Sequence, residues 1–300
     1  MIMKKIKLEN ETIQVVISPF GGKILSMFNK RNGSEWLFQS ESEDIKLASD
    51  GSFTKEVAFG SDEMFPTILP ETSRQKNGSE VDLPDHGELW SREWDILSQS
   101  DDSLEMRFDG KLLPYRFVRN TLLSDDSIIC RYTVINLSDT DFPALWTPHP
   151  LFSFLPETEI IVPWDCSSII QAGDGGELGP YLSRTEWGIG GEVPHAGKLL
   201  MPGTLKEGSA YKFYGSDPVS EGKVVISDSR GQMTMSYPAI ILPWLGFWIN
   251  KGGFGGQHNI APEPATSPFD SPSRSEDFGI PALWKAGEIR EWELSYSLKV

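Results

Sequence analysis

Apolar and polar residues alternate along most of the chain, and a period of two is the signature of strands with one buried face. At the C-terminal end Trp292, Leu294, Tyr296, Leu298 and Val300 alternate with Glu291, Glu293, Ser295, Ser297 and Lys299. Ile128, Cys130, Tyr132 and Val134 form one face of another strand, bounded by Asp125-Asp126 and Asn136. Similar runs predict strands over 2–8, 12–18, 22–28, 104–109, 115–123, 159–163, 223–227, 231–237 and 244–250. The 28 glycines and 21 prolines cluster between these runs as turn punctuation. No window carries an amphipathic pattern long enough for three helical turns. Many short strands with turn signals between them predict an all-β chain, an antiparallel sandwich or barrel. Neither a repeat nor a linker divides residues 1–300, which are expected to form one domain. Two segments, 170–180 and 251–281, read as long irregular loops, the second of them ordered and functional.

Charge narrows the partners. A formal net charge of −16 argues against nucleic acid, because neutralising phosphates needs clustered Lys and Arg. The same charge would repel an anionic membrane surface, and no apolar run approaches the length of a spanning helix. The lysines near the N-terminus are not followed by an apolar stretch of signal-peptide type, so the expected compartment is the cytoplasm. A neutral substrate fits most easily, although a local basic pocket could hold a phosphate or sulfonate. The two cysteines make no disulfide framework, and Cys130, inside an alternating run, reads as a small buried hydrophobe.

Two histidines stand in unusual settings. His86 lies in the run Pro84-Asp85-His86-Gly87, and His149 is locked between Pro148 and Pro150. Proline fixes φ and removes a donor, so each backbone reads as a rigid loop rather than a central strand. Such a loop suits an imidazole that moves protons, but it equally suits one that serves a buried carbonyl. Among many carboxylates, Asp62 and Glu63 sit between aromatics and Pro66, and Glu263 is fixed between Pro262 and Pro264. A partly buried glutamate there would have its pKa raised toward that of a general base. No His or Cys spacing of metal-ligand type occurs, so no metal is expected, and neither a nucleophile elbow nor a phosphate loop is found.

The order of these motifs resembles the galactose mutarotase (aldose 1-epimerase) family, in its divergent bacterial branch. The residues that carry the resemblance are Gly21-Gly22-Lys23-Ile24-Leu25-Ser26, Asp62 to Pro66, His86-Gly87, His149-Pro150-Leu151-Phe152, Glu263-Pro264, and Gly287-Glu288 leading into Trp292–Leu298. It implies an antiparallel β-supersandwich without a cofactor, acting on a sugar. It further implies Glu263 as the base at the anomeric hydroxyl, His149 as the acid at the ring oxygen, and His86 as a substrate-binding residue. Asp62, Trp90 and Trp146 are further substrate-binding candidates. The family's arginine and asparagine are absent from 59–66, Glu88 replaces a second glycine after His86, and Asp217 is the candidate for its hydroxyl-binding aspartate. Two rival readings use the same residues. A lectin-like module would bind sugar without turnover, and a glycoside hydrolase would pair Asp62 with Glu263.

Overall fold

The computed structural model describes residues 4–40, 47–48, 51–75, 78–163, 167–173 and 176–300. Cys166 lies outside the described residues, as does the start of the strand predicted over 2–8. The chain is an antiparallel β-supersandwich built on three main sheets. The largest has eight strands, in the spatial order Glu159–Ile161, Lys223–Asp228, Gly231–Ser236, Ile289–Lys299, Ser127–Asn136, Tyr115–Ser124, Ser103–Asp109 and Asp95–Gln99. A six-stranded sheet runs Ile6–Glu9, Ile13–Ile17, Ile24–Asn29, Ser61–Met64 and Thr147–Pro150, with Ser34–Glu35 on its flank. A five-stranded sheet runs Arg184–Glu186, Ser168–Gln171, Ser209–Gly215, Trp244–Lys251 and His258–Ala265. Pro272–Asp277 is the one α-helix among the described residues, capped by the Ser271 side chain.

Alternation in sequence becomes alternation in burial. Ser103–Asp109 buries Leu104, Met106 and Phe108, and Ile289–Lys299 buries Trp292, Leu294, Tyr296 and Leu298. One hydrophobic cluster runs from Ile6 to Leu298 and includes Cys130, which is fully buried. Two adjacent acids show what the pleat does to neighbours, since successive side chains leave a strand on opposite faces. Glu63 enters the core. There it accepts from Arg119 (2.8 Å), the Tyr132 hydroxyl (3.0 Å) and the Trp146 indole (2.9 Å). Asp62 points the other way and takes Lys23 Nζ at 2.5 Å.

The two proline-flanked segments are strands, not loops. Thr147–Pro150 pairs with Ser61–Met64, and His258–Ala265 pairs with Trp244–Lys251. Each is the last strand of its sheet, and the two edges abut. Phe152 and Ile260 exchange both backbone hydrogen bonds, and Thr266 N–H donates to the Trp146 carbonyl at 3.0 Å. The register between those anchors sets Pro148 against Pro264, His149 against Glu263 and Pro150 against Pro262. All four prolines fall where an N–H would have crossed the seam. Proline is tolerated at a sheet edge because no ladder bond is demanded of it, which explains strands where the sequence reads as loop. Only the 266–271 part of the predicted 251–281 loop and its short flanking turns remain irregular.

Candidate functional site

His149 and Glu263 occupy facing positions on the seam, so their side chains emerge side by side on one face. His149 Nε2 lies 3.4 Å from Glu263 Oε1. Glu263 is completely buried and His149 nearly so. The other carboxylate oxygen, Oε2, accepts from Lys212 Nζ, which also stands 3.3 Å from Asp270 Oδ1. Asp270 in turn accepts from the Tyr214 hydroxyl at 2.7 Å. Gly246 makes this packing possible. It stands opposite both Glu263 and Tyr214, and a Cβ there would come within 2.8 Å of the Tyr214 ring.

The histidine wall is built by a strained turn. His86 has φ of 62° and Gly87 of 73°, both left-handed. A Cβ on Gly87 would meet the Phe65 carbonyl at 2.1 Å, so the turn needs glycine there. Asp85 Oδ1 holds His86 Nδ1 at 2.6 Å, which leaves Nε2 free of that partner. Phe53 stacks on the His86 ring at 4.1 Å and meets His149 edge-on at 5.8 Å. The two imidazoles lie 5.7 Å apart between centroids.

These groups border an open pocket of about 250 Å³ whose lining includes His86, His149, Lys212, Asp270, Phe53 and Trp248. Glu263 sits directly behind that wall. Burial, and the nearby Lys212, raise and lower its pKa respectively; burial dominates, with Asp270 helping, and lifts the carboxyl to about 7. Burial also pushes His149 well below the usual imidazole range, reinforced by His86, Lys212 and Lys23. Burial lowers the Lys212 ammonium, but Asp270 and Glu263 more than offset it and leave its pKa raised. The site therefore holds a fixed cation, a neutral imidazole and a carboxyl poised to gain or lose a proton near neutrality. Among the described residues, no three His, Cys, Asp or Glu side chains converge as metal ligands.

The sequence profile described as Aldose 1-epimerase matches residues 4–165. The chain belongs to the aldose 1-epimerase family. The matched span contains His86 and His149 but ends before Glu263. Solved structures agree on the fold over full length. The Slr1438 protein of Synechocystis has a TM-score of 0.75 at 16% identity, covering 100% of this chain and 98% of its own. A galactose mutarotase-like protein from Lactobacillus casei gives 0.72 at 15%, covering 99% and 100%. An aldose epimerase homologue from C. elegans gives 0.71 at 12%, covering 98% of each. None of the curated proteins matches the chain.

Within this member of the aldose 1-epimerase family, the expected site residues divide into two groups. His86, His149 and Glu263 come together, with Trp248 in the adjoining wall. Asp62, Trp90 and Trp146, expected to bind substrate, do not line the pocket. Asp62 is buried on Lys23, which also donates to the Val57 carbonyl at 2.9 Å. Trp90 lies behind Phe53 and donates to the Asp85 carbonyl at 2.9 Å. Trp146 is fully buried on Glu63, on the face opposite His149, as an odd spacing of three along a strand requires. Asp217 is exposed, accepts from its neighbour Ser216 and does not line the pocket, so it is not the pocket's aspartate; Asp270 is. Lys212, Asp270 and the orienting Asp85 were not foreseen. Lys212 stands in a strand that the hydrophobic pattern did not pick out, where it reads as one more solvated lysine.

Proposed function

We propose that the protein interconverts the α and β anomers of an aldose by acid–base ring opening at His149 and Glu263. The observation that carries this reading is a histidine and a carboxylate held against each other beside a pocket, each between two prolines. Their 3.4 Å separation is wider than a good hydrogen bond, so Glu263 Oε1 has no donor among the described residues. A sugar hydroxyl that entered from the pocket side between the two groups would supply the donor that Oε1 lacks. Glu263 removes the proton from O1, His149 delivers a proton to the ring oxygen, and the C1–O5 bond breaks to give the open-chain aldehyde. Rotation about C1–C2 and reclosure on the other face reverse both transfers, so no proton is gained or lost overall.

The low pKa of His149 does not conflict with its role as acid. The pair needs one proton between its two members, and a carboxyl beside a neutral imidazole carries as many as a carboxylate beside an imidazolium. Substrate entry then decides which group holds it. His86 suits a hydrogen bond to the sugar from its free nitrogen, and Trp248 and Phe53 supply apolar faces. The unbroken core from Ile6 to Leu298 supports treating residues 1–300 as one functional unit.

The test is polarimetry of freshly dissolved α-sugars against a panel that includes phosphorylated and sulfonated forms. Accelerated loss of rotation with at least one sugar is expected. Sugar binding without acceleration would make this a lectin-like module. Release of an aglycone from a glycoside would make it a hydrolase. Nothing favours that outcome, because Asp62, the carboxylate it would pair with Glu263, is buried on Lys23 and does not line the pocket.

A further inference from the structure

Lys212 belongs to none of the groups that ring opening strictly requires, yet it is the cation nearest the reacting pair. Its side chain is about nine-tenths buried, reaches Glu263 Oε2 and Asp270 Oδ1 together, and borders the pocket. Two carboxylates against one ammonium keep the amine protonated, so Lys212 has no lone pair with which to trap the open-chain aldehyde as an imine. What it offers is charge and a fixed direction. With Oε2 occupied, Glu263 can present only Oε1, the oxygen beside His149.

We propose that Lys212 is a positioning residue of this reaction: it anchors Glu263 through Oε2, favours the carboxylate over its protonated form against the effect of burial, and aims Oε1 at the sugar. The proposal rests on the mutarotase reading and names how its base is prepared. Every charged group facing Glu263 takes part. Lys212 and Tyr214 come from the strand Ser209–Gly215 and Asp270 from the turn beyond Glu263 itself. His149 comes from the abutting edge, with His86 and Lys23 behind it. The neighbouring strand Trp244–Lys251 offers only Gly246 opposite the glutamate. Among the described residues Lys212 is thus the one cation in direct contact, and Asp270 competes with Glu263 for it.

Competition gives a test with two opposite signs. Removing the cation in Lys212→Met lets Glu263 hold its proton to higher pH. Removing the competitor in Asp270→Asn gives Glu263 the whole ammonium and moves its titration to lower pH. The Glu263 carboxyl is followed by infrared difference spectroscopy, its band assigned by loss in Glu263→Gln, beside the acidic limb of kcat. In Lys212→Met both midpoints should rise by ~1–3 pH units, the range for losing one adjacent opposite charge. In Asp270→Asn both should fall, and Lys212→Arg should restore most of the wild-type position. If Lys212→Met does not fold, Asp270→Asn, which keeps the ammonium and Glu263 together, decides alone. Midpoints that stay put, or that move the same way in both variants, overturn the proposal. A wild-type protein inactive on every sugar would overturn the mutarotase reading instead, and the infrared titration would still decide whether Lys212 controls Glu263.

Discussion

Glu63 and Glu263 are both buried glutamates, and the molecule treats them in opposite ways. Burial raises the pKa of both. Glu63 has its oxygens occupied by Arg119, Tyr132 and Trp146, so its charge is matched by a guanidinium and two neutral donors. Among the described residues, Glu263 has one oxygen on Lys212 and the other on nothing but the approach of His149. A buried polar atom left unpartnered costs about 1–3 kcal/mol, so folding alone would not keep Oε1 bare. The difference teaches where to look for chemistry in a fold with several buried charges: at the carboxylate that remains incompletely satisfied next to a cavity.

The comparison breaks most visibly in turnover. Glu263→Gln keeps the size of the side chain and removes its basicity, and general acid–base groups contribute ~10²–10⁴-fold. We expect kcat to fall by that factor with KM little changed, and His149→Asn to behave alike. The double variant should lose less than the product of the two, because the groups act as one unit. Variants of either residue that lose sugar affinity but keep full turnover would show that Glu263 and His149 bind the sugar and do not act on it.

The complementary change is Glu63→Gln. It leaves Arg119, itself fully buried, without its counter-ion. Breaking a buried pair from one side costs about 3–5 kcal/mol, so the denaturation midpoint should drop steeply. Turnover per folded molecule, measured well below that midpoint, should stay near wild type. A stable Glu63→Gln protein with impaired kcat would mean that the core glutamate reaches the reaction after all.

His86→Asn sharpens the comparison on the pocket side. If His86 only binds the sugar, KM rises, by about tenfold for one lost hydrogen bond of typical strength, while kcat holds. A fall in kcat equal to that of His149→Asn would move His86 into the proton-transfer machinery.

How much of this was legible in the sequence follows from what each residue answers to. Strands such as Ser103–Asp109 and Ile289–Lys299 bury one face, so their period is written in the residues. The proline pairs around His149 and Glu263 marked rigid, exceptional backbone, but proline signals a loop and a sheet edge equally. Only the seam between two sheets distinguishes them, and it joins residues more than a hundred positions apart. Trp146 could have been set aside by counting, since three residues along a strand reverse the face. Asp62 could not, because its separation from the pocket depends on Lys23, brought to it from a different strand connection. Lys212 and Asp270 were invisible for a plainer reason. A lysine within Tyr211-Lys212-Phe213 and an aspartate after Pro268-Phe269 have ordinary local surroundings, and their meaning arises only when Glu263 arrives between them.

The smallest effect concerns pH and the cost of keeping the imidazole of His149 neutral. Its pKa lies well below the unfolded value of ~6.5, so the native state binds fewer protons than the unfolded chain as pH falls through that interval. Stability from this source is present above pH ~6.5 and is lost on acidification toward the depressed pKa, with a limiting slope of ~1.4 kcal/mol per pH unit. Glu263 acts in the other sense. Its carboxyl, raised from 4.5 to about 7, makes the native state the better proton binder in that window, so its contribution grows as pH falls. In the wild-type protein the two slopes oppose each other, and stability between pH 5 and 7 should change little on their account. His149→Gln removes one side of the balance. Relative to wild type, this variant should gain stability on going from pH 7 to pH 5, as read by chemical denaturation at each pH. Parallel curves for the two proteins would mean that His149 titrates as it does in the unfolded chain, and that the imidazolium is already available in the free protein to act as the acid.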